Sequence, residues 1–250
     1  MNLKGKKHLF NLLYVIGMIA AILLVWYIVS ITVDKELIAP SPWTVIALTF
    51  TLLGKGTTYL ALLSTLLRSL IAFAVSLITA LCLSLFAGLF PIAKRITDNI
   101  VTVFRALPTM AIILVTLIVF TSTTVPAIVA FLVAFPIIYS AFQREIYSDL
   151  KLLELCKIYG VSRRNKIRYV LLPHIGSAVV PQTRDTLPLC IKVVIAGEAM
   201  SLPKLGLGRD MYIGKVNLDT ANVLALTLLA LAVCFVIEGV VSICVKKATK

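Results

Sequence analysis

The chain has 250 residues, 60% of them hydrophobic and 14% charged, with a formal net charge of +13. So large an apolar share exceeds what a water-soluble domain of this length needs for one core, which excludes an ordinary soluble enzyme and defines an integral membrane protein. The positive balance would suggest nucleic acid in a soluble chain, but here the placement of the cations accounts for it and no nucleic acid partner is expected.

A helix needs about 20 apolar residues to cross roughly 30 Å of hydrocarbon. Six stretches are read as spans, at 9–31, 60–90, 106–121, 125–142, 175–200 and 221–245. None shows the apolar/polar alternation of a barrel strand, so the expected fold is an all-α membrane bundle of six transmembrane helices. The first run follows Lys4, Lys6 and Lys7 and imitates a signal peptide. It is too long for one and lacks a small-x-small site before "TVDKELIAPSP", so it reads as an uncleaved anchor. Pro40 and Pro42 then break the chain, and "WTVIALTFTLLG" reads as a short helix along the outer surface. Residues 1–58 are thus an anchor plus a surface helix, and 59–250 a five-helix core.

With the N-terminus inside, 16 Lys and Arg fall on cytoplasmic segments and five on outer ones. The remaining three, Arg68, Arg184 and Lys192, lie within spans. The bias puts both termini in the cytoplasm.

Between the fourth and fifth spans lies "LLELCKIYGVSRRNKIRYVLLP", an unusually polar stretch in so apolar a chain. Ser148 and Asp149 can start a helix on which Glu154 and Lys157 share a side, and Gly160 sits where a helix stop favours positive φ. Ser162 can cap a second helix, with Ile167, Val170 and Leu171 on one face, and Pro173 is expected to end it. The spacing predicts a compact cytoplasmic elbow over 148–173. Its basic residues suit either anionic membrane lipid or a docked cytoplasmic protein.

The fifth span carries Arg184, Asp185, Lys192 and Glu198, each of which would cost roughly 2.5 to 3.5 kcal/mol or more if it faced lipid at the centre of the membrane. At about 100° per residue, Asp185 and Lys192 fall within about 20° of each other, and Arg184 and Glu198 within about 40°. Pro181 and Pro188 loosen the helix between them. The four charges either pair to hold the bundle or line a pathway.

Other chemistry is thinly represented. Cys82, Cys156, Cys190, Cys234 and Cys244 form no C-x-x-C pair and read as apolar fillers. His8 and His174 have no His or Glu at ligand spacing, so no metal site is expected. "GRDMYIGKV" fails as a phosphate loop, with five residues between its glycines and Val216 in place of Ser or Thr, so the chain is not expected to bind ATP.

Glu154, Gly160 and Val170-x-Leu172-Pro173 resemble the Glu-Ala-Ala…Gly…Ile-x-Leu-Pro signature of ABC importer permeases, with Leu155 and Cys156 standing where the alanines do. "IAPSPWTV" (38–45), "STLLRSL" (64–70), "RALPTMA" (105–111) and "GEAMSLPKLGLG" (197–208) resemble the taurine, sulfonate and nitrate branch, in the right order over nearly the whole chain. After Pro108 the chain reads "IILVTLIVF", without the branch's usual second proline and Trp-Phe-Gly turn.

The resemblance implies a type I ABC importer permease, a non-catalytic subunit in a bacterial cell membrane. It implies an elbow (Glu154, Leu155, Cys156, Gly160, Val170, Leu172, Pro173) that inserts into an ATPase subunit, two copies of that ATPase holding ATP and Mg, and an extracellular or periplasmic substrate-binding protein. A second permease copy, most simply a homodimer, would complete a pathway for a small anionic organic solute. The rival is a secondary transporter or channel with no ATPase, which should show an internal repeat; the elbow occurs once.

Overall fold

The computed structural model describes residues 3–33 and 35–248. Every regular element among them is a helix: α1 (Leu3–Val33), α2 (Pro42–Leu53), α3 (Gly56–Leu89), α4 (Pro91–Ala106), α5 (Thr109–Val119), α6 (Val125–Ile146), α7 (Leu150–Ile158), α8 (Arg163–Lys166), α9 (Leu172–Ser201), α10 (Leu207–Val216) and α11 (Thr220–Ala248), with a π-helical turn at Ile167–Leu171 between α8 and α9. This is the all-α architecture expected of the apolar runs.

The chain divides into two compact units, Met1–Thr58 with Met211–Leu229, and Tyr59–Asp210 with Ala230–Lys250. In the first, α1 is tied to the segment after it by Trp26 Nε1 donating to the Pro40 carbonyl (3.1 Å) and Ser30 Oγ to that of Ala39 (2.9 Å). Ser41 caps α2, accepting from the Thr44 amide, and Pro42 occupies the first turn, where its missing N–H costs nothing.

The second unit holds the main core. α6 and α9 pack along most of their length, and Phe135, Ile138, Phe142, Leu171, Ile175 and Leu187 are buried between them and α3. α3 meets this core through small residues. Ala61, Thr65, Ser69, Ala72, Ser76, Ala80, Ser84 and Ala87 recur every three or four positions and are almost fully buried. In lipid, where apolar side chains gain nothing by leaving the tails, such a stripe lets backbones approach closely. The hydroxyls of Thr65, Ser69 and Ser76 are absorbed locally, as when Ser76 Oγ donates to the Ala72 carbonyl (2.7 Å).

Among the described residues, four helices are long and apolar enough to cross a membrane: α1, α3, α6 and α11. The expected span at 106–121 is different. Pro108 pushes Leu107 out of the helical region, to ψ 129°, so the chain forms α4 and α5 with a bend of 99°. The 11 residues of α5 reach only about 16 Å, short of the hydrocarbon thickness. α9 has the length of a span, 30 residues, but is less apolar because it carries the four charges.

Candidate functional site

The elbow is built from local chemistry. Asp149 caps α7, its Oδ1 accepting from the Leu152 amide (3.1 Å). The helix closes when the Val161 N–H returns to the Cys156 carbonyl (3.0 Å), and Gly160 takes φ +61°, where a side chain would be strained. Ser162 then caps α8 through the Asn165 amide.

Pro173 does not end this second helix. Its ring would clash with the Tyr169 carbonyl in a regular α-helix, and the π turn at Ile167–Leu171 widens the backbone just there, so that Leu172 N–H reaches Ile167 O and the chain runs into α9 without a loop.

The elbow's two halves sit differently. α7 buries no side chain at all: Glu154 and Gly160 are exposed, as are Leu155, Ile158 and Tyr159, the last two by 77% and 79%. Cys156 is half-buried, and Leu172 and Pro173 are exposed on the far side of the turn. Val170 and Leu171, by contrast, are core residues. Leu171 fills the notch at Gly88, where a methyl group would lie 3.0 Å from it. Lys166 Nζ donates to the Gly88 carbonyl (2.8 Å), and the Arg163 guanidinium lies 4.7 Å from the centre of the Phe90 ring. The second half is thereby bolted to the corner between α3 and α4, while α7 leans on the core through the half-buried Leu153 and presents Leu155, Ile158 and Tyr159 outward.

On α9 the four charges part company. Glu198 is fully buried. Its carboxylate accepts from Arg68 Nη1 (2.6 Å), Thr65 Oγ1 (2.9 Å) and the Gly208 amide (3.1 Å). Arg68 Nη1 also donates to the Leu205 carbonyl (2.8 Å), and Thr65 Oγ1 accepts from the Leu207 amide (3.0 Å). The net clamps the connection after α9, which leaves the helix at Leu202 in a left-handed conformation (φ 49°). Glycines are required there: a methyl group at Gly206 would sit 2.5 Å from the Glu198 carboxyl carbon, and one at Gly208 would strike the Ile195 carbonyl.

Arg184, Asp185 and Lys192 are exposed instead. Arg184 Nε lies 3.8 Å from Glu238 Oε1 of α11, and both side chains are about half-exposed. Asp185 and Lys192 have no ion-pair partner among the described residues. The structure therefore brings Arg184 to Glu238 and Glu198 to Arg68, and pairs no two of the four with each other. Thr65, Arg68 and Glu238 escape a reading confined to one helix, although two lone opposite charges in separate apolar runs are each other's cheapest partners.

A helical membrane bundle with an open charged face on one inner helix and a capped elbow at the foot of that helix has the make-up of a transport permease. Residues 80–250 match the family described as binding-protein-dependent transport system inner membrane component, and the chain belongs to it. Among solved structures, a chain of the MetNI methionine ABC transporter, described in inward-facing conformations, superposes with a TM-score of 0.60 at 18% identity, covering 77% of this chain and 94% of that one. The shared architecture is the type I ABC importer permease fold. No curated protein sequence matches the chain. The protein is thus a multi-pass permease subunit of the inner membrane, serving an ABC importer.

Proposed function

We propose that this permease works as a pair of identical copies, with both termini in the cytoplasm, and that the open face of α9 lines a pathway between them. One observation carries the reading. Between Leu172 and Met200, α9 exposes no large hydrophobic side chain among the described residues, yet it exposes Arg184, Asp185 and Lys192. α3 does the opposite, exposing Leu60, Leu63, Leu67, Ile71 and Ile78. A face meant for lipid looks like that of α3, and charges at the membrane centre need water or protein.

The chain itself performs no chemistry. A binding protein delivers the solute, and the apolar lip of α7, with Leu155, Ile158 and Tyr159 standing clear, seats in each of two ATPase subunits that hold ATP and Mg. Glu154, Leu155, Cys156 and Gly160 form that lip, while Val170, Leu172 and Pro173 connect it to α9. Nucleotide drives transport only through its different affinity for two arrangements of the pair, and the elbow carries that difference. The proposed solute is a small organic anion of the sulfonate, taurine or nitrate class. Lys192 offers it a free cation, and Asp185 offers a carboxylate to any amino group it bears.

The test is uptake in proteoliposomes, normalised to inserted protein, of the solute that stabilises the cognate binding protein in a thermal-shift screen. Asp185→Asn and Lys192→Met should insert at near-normal levels and transport poorly, with no rescue in the double variant. Low yield in each single variant with recovery in the double would show that the two charges only hold the bundle.

A further inference from the structure

α4 presents a surface that neither the elbow nor the pathway explains. Ile92, Ile96, Ile100, Val103 and Leu107 recur at intervals of four, four, three and four, which gathers them within about 80° of arc. All five are exposed, Ile92 by 77%. The adjoining arc, with Thr97 and Val101, is buried against the bundle. It is fastened there by the Tyr139 hydroxyl donating to Asp98 (2.9 Å), whose other oxygen pairs with Lys94 (2.5 Å). The third arc is polar and open, with Arg95, Asn99 and Thr102 exposed. Arg105 reaches Ser140 at 3.4 Å and is itself exposed. α4 therefore has one docked face, one polar face and one greasy face left uncovered by the described residues.

We propose that α4 lies in the plane of the membrane on the elbow's side, its aliphatic stripe among the acyl chains and Arg95 and Arg105 holding anionic lipid headgroups. The 99° bend supports this, because a helix perpendicular to α5 runs along the bilayer surface when α5 runs into it. The side is set by Phe90, at the start of α4, which stacks against Arg163 of the elbow. The stripe continues into Met110, Leu114 and Ile118 on the open side of α5, the last 85% exposed. A helix with one apolar face and cations on its polar face binds an interface by burying the first and pairing the second with anionic lipid. A second copy suits the face poorly: with α4 in the membrane plane, a two-fold axis along the membrane normal is perpendicular to it and brings the same arginine-bearing edges of both copies together, at a repulsive cost. The proposal rests on the chain's being a membrane protein and is independent of the solute and ATPase readings.

The full chain, with its native cysteines replaced, is reconstituted in phosphatidylcholine vesicles with or without phosphatidylglycerol. It carries an environment-sensitive fluorophore at Ile100→Cys or, as a control on the polar face, at Thr102→Cys. Lipids brominated on the acyl chains should quench the Ile100 label and leave the Thr102 label bright. Brominated phosphatidylglycerol should quench more than brominated phosphatidylcholine at equal mole fraction, reflecting local enrichment of up to about fivefold per arginine. Arg95→Gln with Arg105→Gln should remove that preference while quenching at Ile100 persists. An unquenched Ile100 label, or cross-linking of copies through Ile100→Cys, would overturn the proposal in favour of a protein interface. Equal quenching by the two headgroups would overturn its anionic half.

Discussion

Glu198 and Lys192 stand on one helix, fewer than two turns apart, and have opposite surroundings. Glu198 is sealed from solvent, and its acceptor capacity is spent on Arg68, Thr65 and a backbone amide. Lys192 is exposed and has no ion-pair partner among the described residues. An intramembrane charge is therefore not in itself a sign of a pathway. What distinguishes a fastener from a lining residue is whether the side chain's partners are already present in the fold.

The sharpest way to break this contrast is at the fastener. Arg68→Met leaves the Glu198 carboxylate buried and uncompensated, an expected loss of about 3 to 5 kcal/mol. Size-exclusion chromatography of detergent-extracted protein should show the folded peak largely gone, with partial recovery when Glu198→Gln is added. A folded single variant at wild-type yield would mean the clamp is dispensable.

A smaller effect is expected one layer out. Gly208→Ala pushes a methyl group against the Ile195 carbonyl, and forcing an atom into so tight a site costs about 1 to 3 kcal/mol. Limited proteolysis should cut the 202–208 connection faster in this variant while the rest of the chain stays resistant; an unchanged cleavage rate would show the clamp has slack.

The smallest effect should be on the open face. Arg184→Gln removes a half-exposed pair at 3.8 Å, and such pairs contribute about 1 kcal/mol or less. A thermal midpoint close to wild type is the expected outcome. A fall as large as that of Arg68→Met would make Arg184–Glu238 a second fastener and erase the distinction.

The sequence revealed these regions unequally. The elbow was legible because its determinants are local: Asp149, Gly160 and Ser162 each act on backbone groups within a few residues. The clamp was not, because a helical wheel places Glu198 relative to Arg184 on its own helix and is silent about Arg68, 130 positions earlier in the chain. Nor did the apolar count at 106–121 reveal that Pro108 divides the run. Hydropathy sums residues without asking where the backbone can continue, and Leu107, held extended by the proline after it, cannot stay helical.

The seamless passage from the π turn into α9 has a mechanical consequence. Where a flexible loop would absorb motion, this join makes α8 and α9 one rod, and α9 alone is about 45 Å long. Leu171, seated in the notch of Gly88, is where that rod bears on its neighbour. With Lys166 and Arg163 held at the same corner, the near end of the rod is anchored there, and its far end is anchored where Glu198 grips the 202–208 connection.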